Sequence, residues 1–441
     1  MLKIKIKKGL DIPLEGKASG RLDSIEVSQI GMVPDDFEGH VWKCVVKVGD
    51  SVAAGAPLLQ DKNTGLIKIV SPISGTVKEV RRGERRKILA VVVERDSKDQ
   101  KAADYILTED SDTIRATLLE SGIWAMMRQR PFDIVPDPDS VARDVFVTAF
   151  DSAPLAAPLF DTNTIPYIEK GLEILTILSG KKPYIATSAT NPYEFRNGEN
   201  IIVSGPHPAG NVGVQIAAVK PVNKGECVWT MDVSVPFRIG KLYSDGAPSW
   251  KTHVALTGPE MPDPHQVQTV VGADIRQLLP DSIVGNQGVR IISGNVLTGK
   301  RVDPETGFLR YPYHQVTALK EGDDADEFMG WASLSGKKYS TKRTFPAFLK
   351  GLSNPFPFDA RIKGGKRAMI LSGEFDKVFP FDIYPEYLLR AIHNKDIDRM
   401  EKLGIYEVAP EDFALPEFVD TSKHELQSMV RDALDNLRAE G

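Results

Sequence analysis

Cysteine is nearly absent from this chain. Its 441 residues include only Cys44 and Cys227, too few for a disulfide framework, an iron–sulfur cluster or a cysteine-built zinc site within the chain. Histidine is also sparse. His40, His207, His253, His265, His314, His393 and His424 show no ligand spacing such as H-x-x-x-H, so no metal centre is expected. Long apolar runs are missing: stretches such as Ile88 to Val93 fall far short of the ~20 residues of a membrane span. Neither sign of charge dominates, with 55 Lys+Arg against 60 Asp+Glu and a formal net charge of -5. That balance excludes a global positive field for nucleic acid. Met1 to Lys8 alternates charged and apolar side chains as a strand does and has no apolar h-region, so it does not read as a signal peptide. Together these absences point to a cytoplasmic chain that carries no cysteine-bound cluster of its own.

What is present is punctuation for several domains, since 441 residues exceed one ordinary core. The expected architecture is α/β and multidomain. After an N-terminal segment (1–36), residues 37–98 read as short strands and tight turns. The words Val48-Gly49-Asp50-Ser51-Val52-Ala53-Ala54-Gly55 and Ser71-Pro72-Ile73-Ser74-Gly75-Thr76-Val77 resemble those of biotinyl/lipoyl carrier domains, a flattened β barrel. Residues 103–250 alternate helix and strand, as in a Rossmann-like α/β domain. Ser111 or Asp112 can cap a helix stopped by Gly122. Asp144 to Thr148, Pro183 to Thr187 and Ile201 to Val203 read as strands, and Ile168, Leu172, Leu175 and Leu178 share a helical face that ends at Gly180. Residues 252–325 read as a β-grasp module, similar to the SLBB type, with Gly272 to Leu279 as its crossing helix. A C-terminal helical domain (326–441) closes with a helix opened by a Ser422–Glu425 capping box and faced by Leu426, Met429, Val430, Ala433, Leu434 and Leu437.

Chemistry is most strongly suggested by Ile201-Ile202-Val203-Ser204-Gly205-Pro206-His207-Pro208-Ala209-Gly210-Asn211-Val212-Gly213. A short apolar run feeds a glycine-framed loop, and Gly205 and Gly210 stand at P-loop spacing. The lysine and hydroxyl residue that should follow are replaced by Asn211 and Val212, so nothing would reach phosphates or hold magnesium. Pro206 and Pro208 also remove two backbone donors. His207, held between two prolines, could meet a quinone carbonyl or a carboxylate; its structural reading is a turn histidine bonded to its own backbone.

Other candidates carry similar pairs of readings. Lys62, in Asp61-Lys62-Asn63, is the nearest match to a carrier's modified lysine. It is expected to be unmodified, because no Met-Lys dipeptide is present and its loop is too long. Ser121 to Phe132 occupies the region where a flavin-phosphate loop would stand between the first strand and helix. Its bulky side chains exclude a dinucleotide loop, while Arg128 and Arg130 read as an exposed pair able to meet an anion. Arg81, Arg82, Arg85 and Arg86 form a basic hairpin tip, either solvated or facing anionic lipid or an acidic partner. The runs Asn354 to Phe358 and Phe379 to Pro385 are too apolar for free linkers; they either pack along a domain boundary, the favoured reading, or dock a partner.

At Ser204 to Gly210, followed by Val228-Trp229, the sequence resembles the A subunits of sodium-translocating NADH:quinone oxidoreductases. Gly9 to Leu14, Phe150 to Leu155, Arg290 to Leu297 and Phe381 to Arg390 extend the resemblance over essentially the whole chain. It also implies kinship with the Rnf complex C subunit and the flavoprotein subunit of complex I. Where those relatives carry a flavin loop, this chain has Ala125 to Arg128; where they bind clusters, it has Leu415 to Lys423 without cysteine. The family commonly has a histidine-bearing strand after the Gly-Pro-His-Pro loop. Here Val214 to Ala218 stands instead, so those histidines' roles do not transfer.

The resemblance implies a peripheral subunit on the cytoplasmic face of the bacterial inner membrane, in a complex that oxidises NADH, reduces ubiquinone and exports sodium. Flavins and iron–sulfur centres would belong to partner subunits. This chain, free of cofactors, would serve assembly and quinone access. The rival readings are a stand-alone flavin- or NAD-dependent oxidoreductase and a biotin or lipoyl carrier.

Overall fold

The computed structural model describes residues 1–96, 105–302, 307–322, 338–341 and 354–440. Of the C-terminal part read from the sequence, 326–337, 342–353 and 441 lie outside the described residues. The first strands are shared among three sheets. Leu2–Lys5 (β1) joins a central sheet, Leu22–Ser24 edges a second and Gln29–Met32 belongs to a third. Residues 1–36 thus tie the units together through backbone hydrogen bonds.

The central sheet adds Arg128–Arg130 (β2), Asp144–Thr148 (β3), Tyr184–Ser188 (β4), Glu199–Ser204 (β5) and Val228–Asp232 (β6), in the order β1-β5-β4-β3-β6-β2. Five strands are parallel, and β2 runs antiparallel to β6 at one edge. Strands covered on both faces are continuously apolar, which is why Val145, Phe146 and Val147 have no polar alternation. Val145 and Val147 pack with the helix Ile165–Ser179 (α2) and the helix Ser234–Asp245 (α4), which follow Ser111–Glu120 (α1) and Val212–Val219 (α3) in the helical series. Phe146 faces the other way, onto α3 and the C-terminal helices. From β3 the chain moves to β4 and β5 on one side and to β6 on the other. The strand order therefore reverses beside β3, and the carboxyl ends of β3 and β6 flank the crevice that such a reversal creates.

Helices α2 and α4 touch through their backbones. A Cβ on Gly171 would lie 1.9 Å from the Pro236 carbonyl oxygen, and one on Gly240 would lie 1.8 Å from that of Tyr167. Helix α2 ends at Gly180 with φ 73, as its sequence predicts. Helix α1 is capped one residue earlier than expected: Asp110, rather than Ser111 or Asp112, accepts from the Thr113 N–H.

The second sheet contains Lys251–Thr257 (β7), His265–Val270 (β8), Val289–Ser293 (β9) and Gln315–Lys320 (β10). Its order is Lys300–Arg301, β9, β10, β7, β8, Leu22–Ser24. The crossing helix expected at Gly272 to Leu279 is reduced to a 3-10 turn, Ile275–Gln277. Asp274 caps the turn by accepting from the Arg276 N–H, and Pro280 disfavours helical geometry at Leu279. Residues 29–95 form a four-stranded and a three-stranded sheet around a shared core.

Towards the C-terminus, Pro385–His393 (α5) and Leu426–Glu440 (α6) pack with Phe146, Ile201, Val203 and Val214 on the α3 face of the central sheet. The expected capping box at α6 does not form. The Ser422 hydroxyl is buried and donates to the Ala368 carbonyl, and Glu425 pairs with Lys366. Glu417 accepts from the Gln427 N–H in the first turn, while Asp420 accepts from the His424 N–H ahead of it. The proline–aromatic runs pack in part: Phe356, Phe379 and Phe381 are buried, while Tyr384 is 69% exposed.

Candidate functional site

After β5 the chain turns at Gly205, where φ is 134, and crosses to α3. The space a phosphate would take is filled by the protein. Ile6 N–H donates to Ser204 O at 2.7 Å and Leu10 N–H to His207 O at 2.8 Å. The His207 N–H donates to Asp11 Oδ1 at 2.9 Å, and the Gly210 N–H to Ser152 Oγ at 2.7 Å. A side chain at either framing glycine would collide with backbone. A Cβ on Gly205 would lie 2.3 Å from Ile6 O, and one on Gly210 would lie 2.5 Å from Ser152 N. The glycines permit chain-to-chain contact, and a carboxylate and a hydroxyl already occupy donors that an anion would need.

His207 lies inside this knot and is only 4% exposed. Its Nδ1 is 3.0 Å from Ser152 Oγ, so its partner is a side chain 55 residues away rather than its own turn. Burial lowers its pKa to about 4, which makes the ring neutral at pH 7. A neutral ring can exchange hydrogen bonds but does not attract an anion by charge.

Arg128 and Arg130 are not the exposed pair that their sequence suggests. Ser121 to Phe132 does not link a strand to a helix: it leaves α1, buries Trp124, Ala125, Met126 and Met127, and enters the antiparallel edge strand β2. Trp124 lies against Trp229 with ring centroids 5.3 Å apart. Arg128 donates to the carbonyls of Ala125, Met127 and Asp36 and lies 5.4 Å over the Tyr311 ring. Arg130 is 1% exposed. It reaches Glu411 at 2.8 Å, Asp412 at 3.2 Å and Asp133 at 3.6 Å, and so clamps the central sheet to the C-terminal helices. Burial opposes its charge, yet Asp133, Asp412 and Glu411 hold its pKa above the ordinary value. Burial raises the Glu411 and Asp412 carboxyls, with Arg130 opposing the rise. Sequence reasoning missed these acids because about 280 residues separate them from the arginine.

At the other crossover, β6 ends at Asp232. Its Oδ2 is 3.2 Å from His314 Nε2, and His314 Nδ1 is 3.2 Å from Thr252 Oγ1. Burial disfavours the Asp232 charge, but His314 and Ser234 hold its carboxyl at about 2. No motif marks this row, since its members come from β6, β7 and the loop before β10.

Three family descriptions match the chain in turn. NqrA N-terminal barrel-sandwich hybrid domain covers residues 4–96, NqrA second alpha/beta domain covers 109–248, and NQRA C-terminal domain covers 253–303. Whole-chain relatives point the same way. The A subunit of Na(+)-translocating NADH-quinone reductase from Vibrio anguillarum is 34% identical, over 99% of this chain and 100% of its own length. The Hahella chejuensis protein of that name is 35% identical over the same shares. The chain belongs to the NqrA family, the A subunits of Na(+)-translocating NADH-quinone reductases. The Pseudomonas aeruginosa member is 34% identical, again over 99% of this chain. Among solved structures, a chain of NAD+-reducing [NiFe]-hydrogenase in the air-oxidized state resembles this one at TM-score 0.32 and 11% identity. That likeness covers 75% of this chain and 61% of the other, and is too low to carry an assignment.

In this NqrA family member the barrel-sandwich unit presents its basic hairpin as expected. Gly75–Arg82 and Ile88–Arg95 are joined by a turn at Glu84–Arg86, and Arg82, Arg85 and Arg86 are exposed. Arg81 folds back instead, paired with Glu79 and 5.1 Å over the Phe308 ring. Lys62 is exposed in a turn whose geometry is set by Asp61, which accepts from both donors of Thr64. Among the described residues, no helix is long and apolar enough to cross a membrane.

Proposed function

We propose that this chain is the peripheral NqrA component of a membrane complex that passes electrons from NADH to ubiquinone and couples that transfer to sodium export. It would sit on the cytoplasmic face, hold no flavin, iron–sulfur centre or metal of its own, and act in assembly and in shaping a quinone-accessible surface. The observation that carries this reading is likeness along the whole chain to proteins named as the A subunits of such reductases. The glycine-framed loop supports the cofactor-free part, because its donors are engaged by Asp11 and Ser152. The central sheet, with helices on both faces, fits a Rossmann-like domain, and the second sheet fits a β-grasp module of SLBB type. The exposed arginines of the barrel hairpin suit a partner subunit or anionic headgroups, and His207 could contribute only as a neutral hydrogen-bonding group.

The purified chain should show no flavin or cluster absorbance and no NADH oxidation by itself. A stoichiometric band near the flavin maxima, or NADH turnover by the isolated chain, would restore the stand-alone oxidoreductase. An adduct-sized mass excess on Lys62 would restore the carrier reading.

A further inference from the structure

A cavity of about 370 Å³ opens beside the first turns of α2 and α4, bounded across the gap by β7 and β8. It lies next to the carboxyl end of β6, on one side of the strand-order reversal where open α/β sheets bind ligands. One wall is aromatic and apolar: Tyr167 and Phe237 meet edge-to-face with centroids 6.0 Å apart, beside Leu159 and Ile168.

The opposite character comes from charge. Arg238 lines the cavity and is 2% exposed. It donates to the Ser234 carbonyl at 3.2 Å and makes a long 3.5 Å contact with that of Lys251, while its Nε has no partner. The Ser234 hydroxyl beside it is likewise buried without a partner. The nearby carboxylates are already engaged. Asp232 binds the Ser234 N–H with one oxygen and His314 with the other, and Asp161 caps its own turn through Asn163 and Thr164. Lys241 is neutralised by Asp245 at 2.6 Å and lies over Tyr167, while Lys251 stands exposed at the rim. His253 faces the same space, bonded to Gln268. Burial lowers the Arg238 pKa and the Asp232 carboxylate offsets this only in part, so the guanidinium, bonded to neutral carbonyls, is a desolvated charge without a direct ion pair.

We infer that this cavity is a binding site for a small organic carboxylate with an aromatic body. The ring would pack in the Tyr167–Phe237 corner, and the carboxylate would supply the direct ion pair that Arg238 lacks. The volume is within the range of small-ligand pockets, which combine apolar walls with a few convergent polar groups. The site is independent of the proposed assembly role, so either can fail alone.

The test is titration of 1-naphthoate into the full chain, followed by calorimetry and ligand fluorescence. Expected is saturable binding at one site per chain. The neutral analogue 1-naphthamide should bind about tenfold or more weaker, since charge-assisted hydrogen bonds are the stronger ones. Lys251→Glu, at the exposed rim, should weaken naphthoate severalfold while the melting temperature stays unchanged. Arg238→Met should abolish charge selection; should that variant misfold, Lys251→Glu and the amide comparison still decide. Absence of saturable binding, equal affinity for acid and amide, or indifference to Lys251→Glu in the folded variant would overturn the assignment. So would displacement of naphthoate by equimolar inorganic phosphate, which would mark a bare anion site.

Discussion

Two crossovers of the central sheet make opposite use of the same geometry. The β5–α3 loop carries Gly205 and Gly210 at phosphate-loop spacing, yet it is packed shut by Ile6, Asp11 and Ser152. The β6–α4 connection has no motif at all, yet it opens on a cavity with a buried arginine. Glycine spacing reports only that something approaches the backbone closely. Here the N-terminal segment, continuing from β1, approaches Gly205, and Ser152 approaches Gly210. Whether a strand-to-helix turn is available to a ligand depends on what the rest of the chain places over it.

The contrast can be broken most severely at the clamp that holds the closed side. Arg130→Met leaves Glu411, Asp412 and Asp133 without their shared cation, and removing one partner of a buried ion pair costs about 3–5 kcal/mol. Both Glu411 and Asp412 have raised folded-state pKa values. Their protonation therefore favours the folded state at low pH, and that contribution is lost as pH rises through the folded values. The stability gap between Arg130→Met and the parent should narrow between pH 8 and pH 5 in denaturant unfolding. A gap that is constant or widens on acidification contradicts the clamp.

Gly210→Ala tests whether the loop is full, because its Cβ would sit 2.5 Å from Ser152 N. Overpacking of this kind costs about 1–3 kcal/mol; a neutral effect on the thermal midpoint would mean that the loop can open. A pair of serines sharpens the same comparison. Ser152→Ala orphans the Gly210 N–H and the His207 ring, for about 1–3 kcal/mol. Ser234→Ala deletes a hydroxyl with no partner and should lie within about 0.5 kcal/mol of the parent. Equal losses from the two would erase the distinction.

The closed side can also be tested by titrating His207. With a folded pKa of about 4 against an unfolded value of about 6.5, its contribution to stability is complete above pH 6.5 and is lost as pH falls towards 4. The ring-proton chemical shift should titrate near 4 by NMR. A midpoint at or above 6 would put the ring in water.

Much of the α/β layer was legible because its signals are local. Val145 to Val147 read as a strand covered on both faces, and Ile168, Leu172, Leu175, Leu178 and Gly180 gave a whole helix with its stop. Local signals failed where a distant partner decided. Ser422 abandons its cap for Ala368, whereas Gly272 to Leu279 is cut to one turn by its own Asp274 and the adjacent Pro280. Arg130 read as exposed because its acids lie about 280 residues away. The Asp232–His314–Thr252 row had no signal in the sequence for the same reason. The family itself was legible from the Gly-Pro-His-Pro loop, whose packing role could be seen only in three dimensions.

The central claim is best tested by co-purification. A tagged chain, isolated from gently solubilised membranes of its own host, should bring down partner subunits in fixed stoichiometry. The assembly should oxidise NADH with quinone in a sodium-stimulated reaction, and the flavins and clusters should remain with the partners when this chain is dissociated. Recovery of the chain alone, with NADH:quinone activity intact in membranes that lack it, would contradict the account.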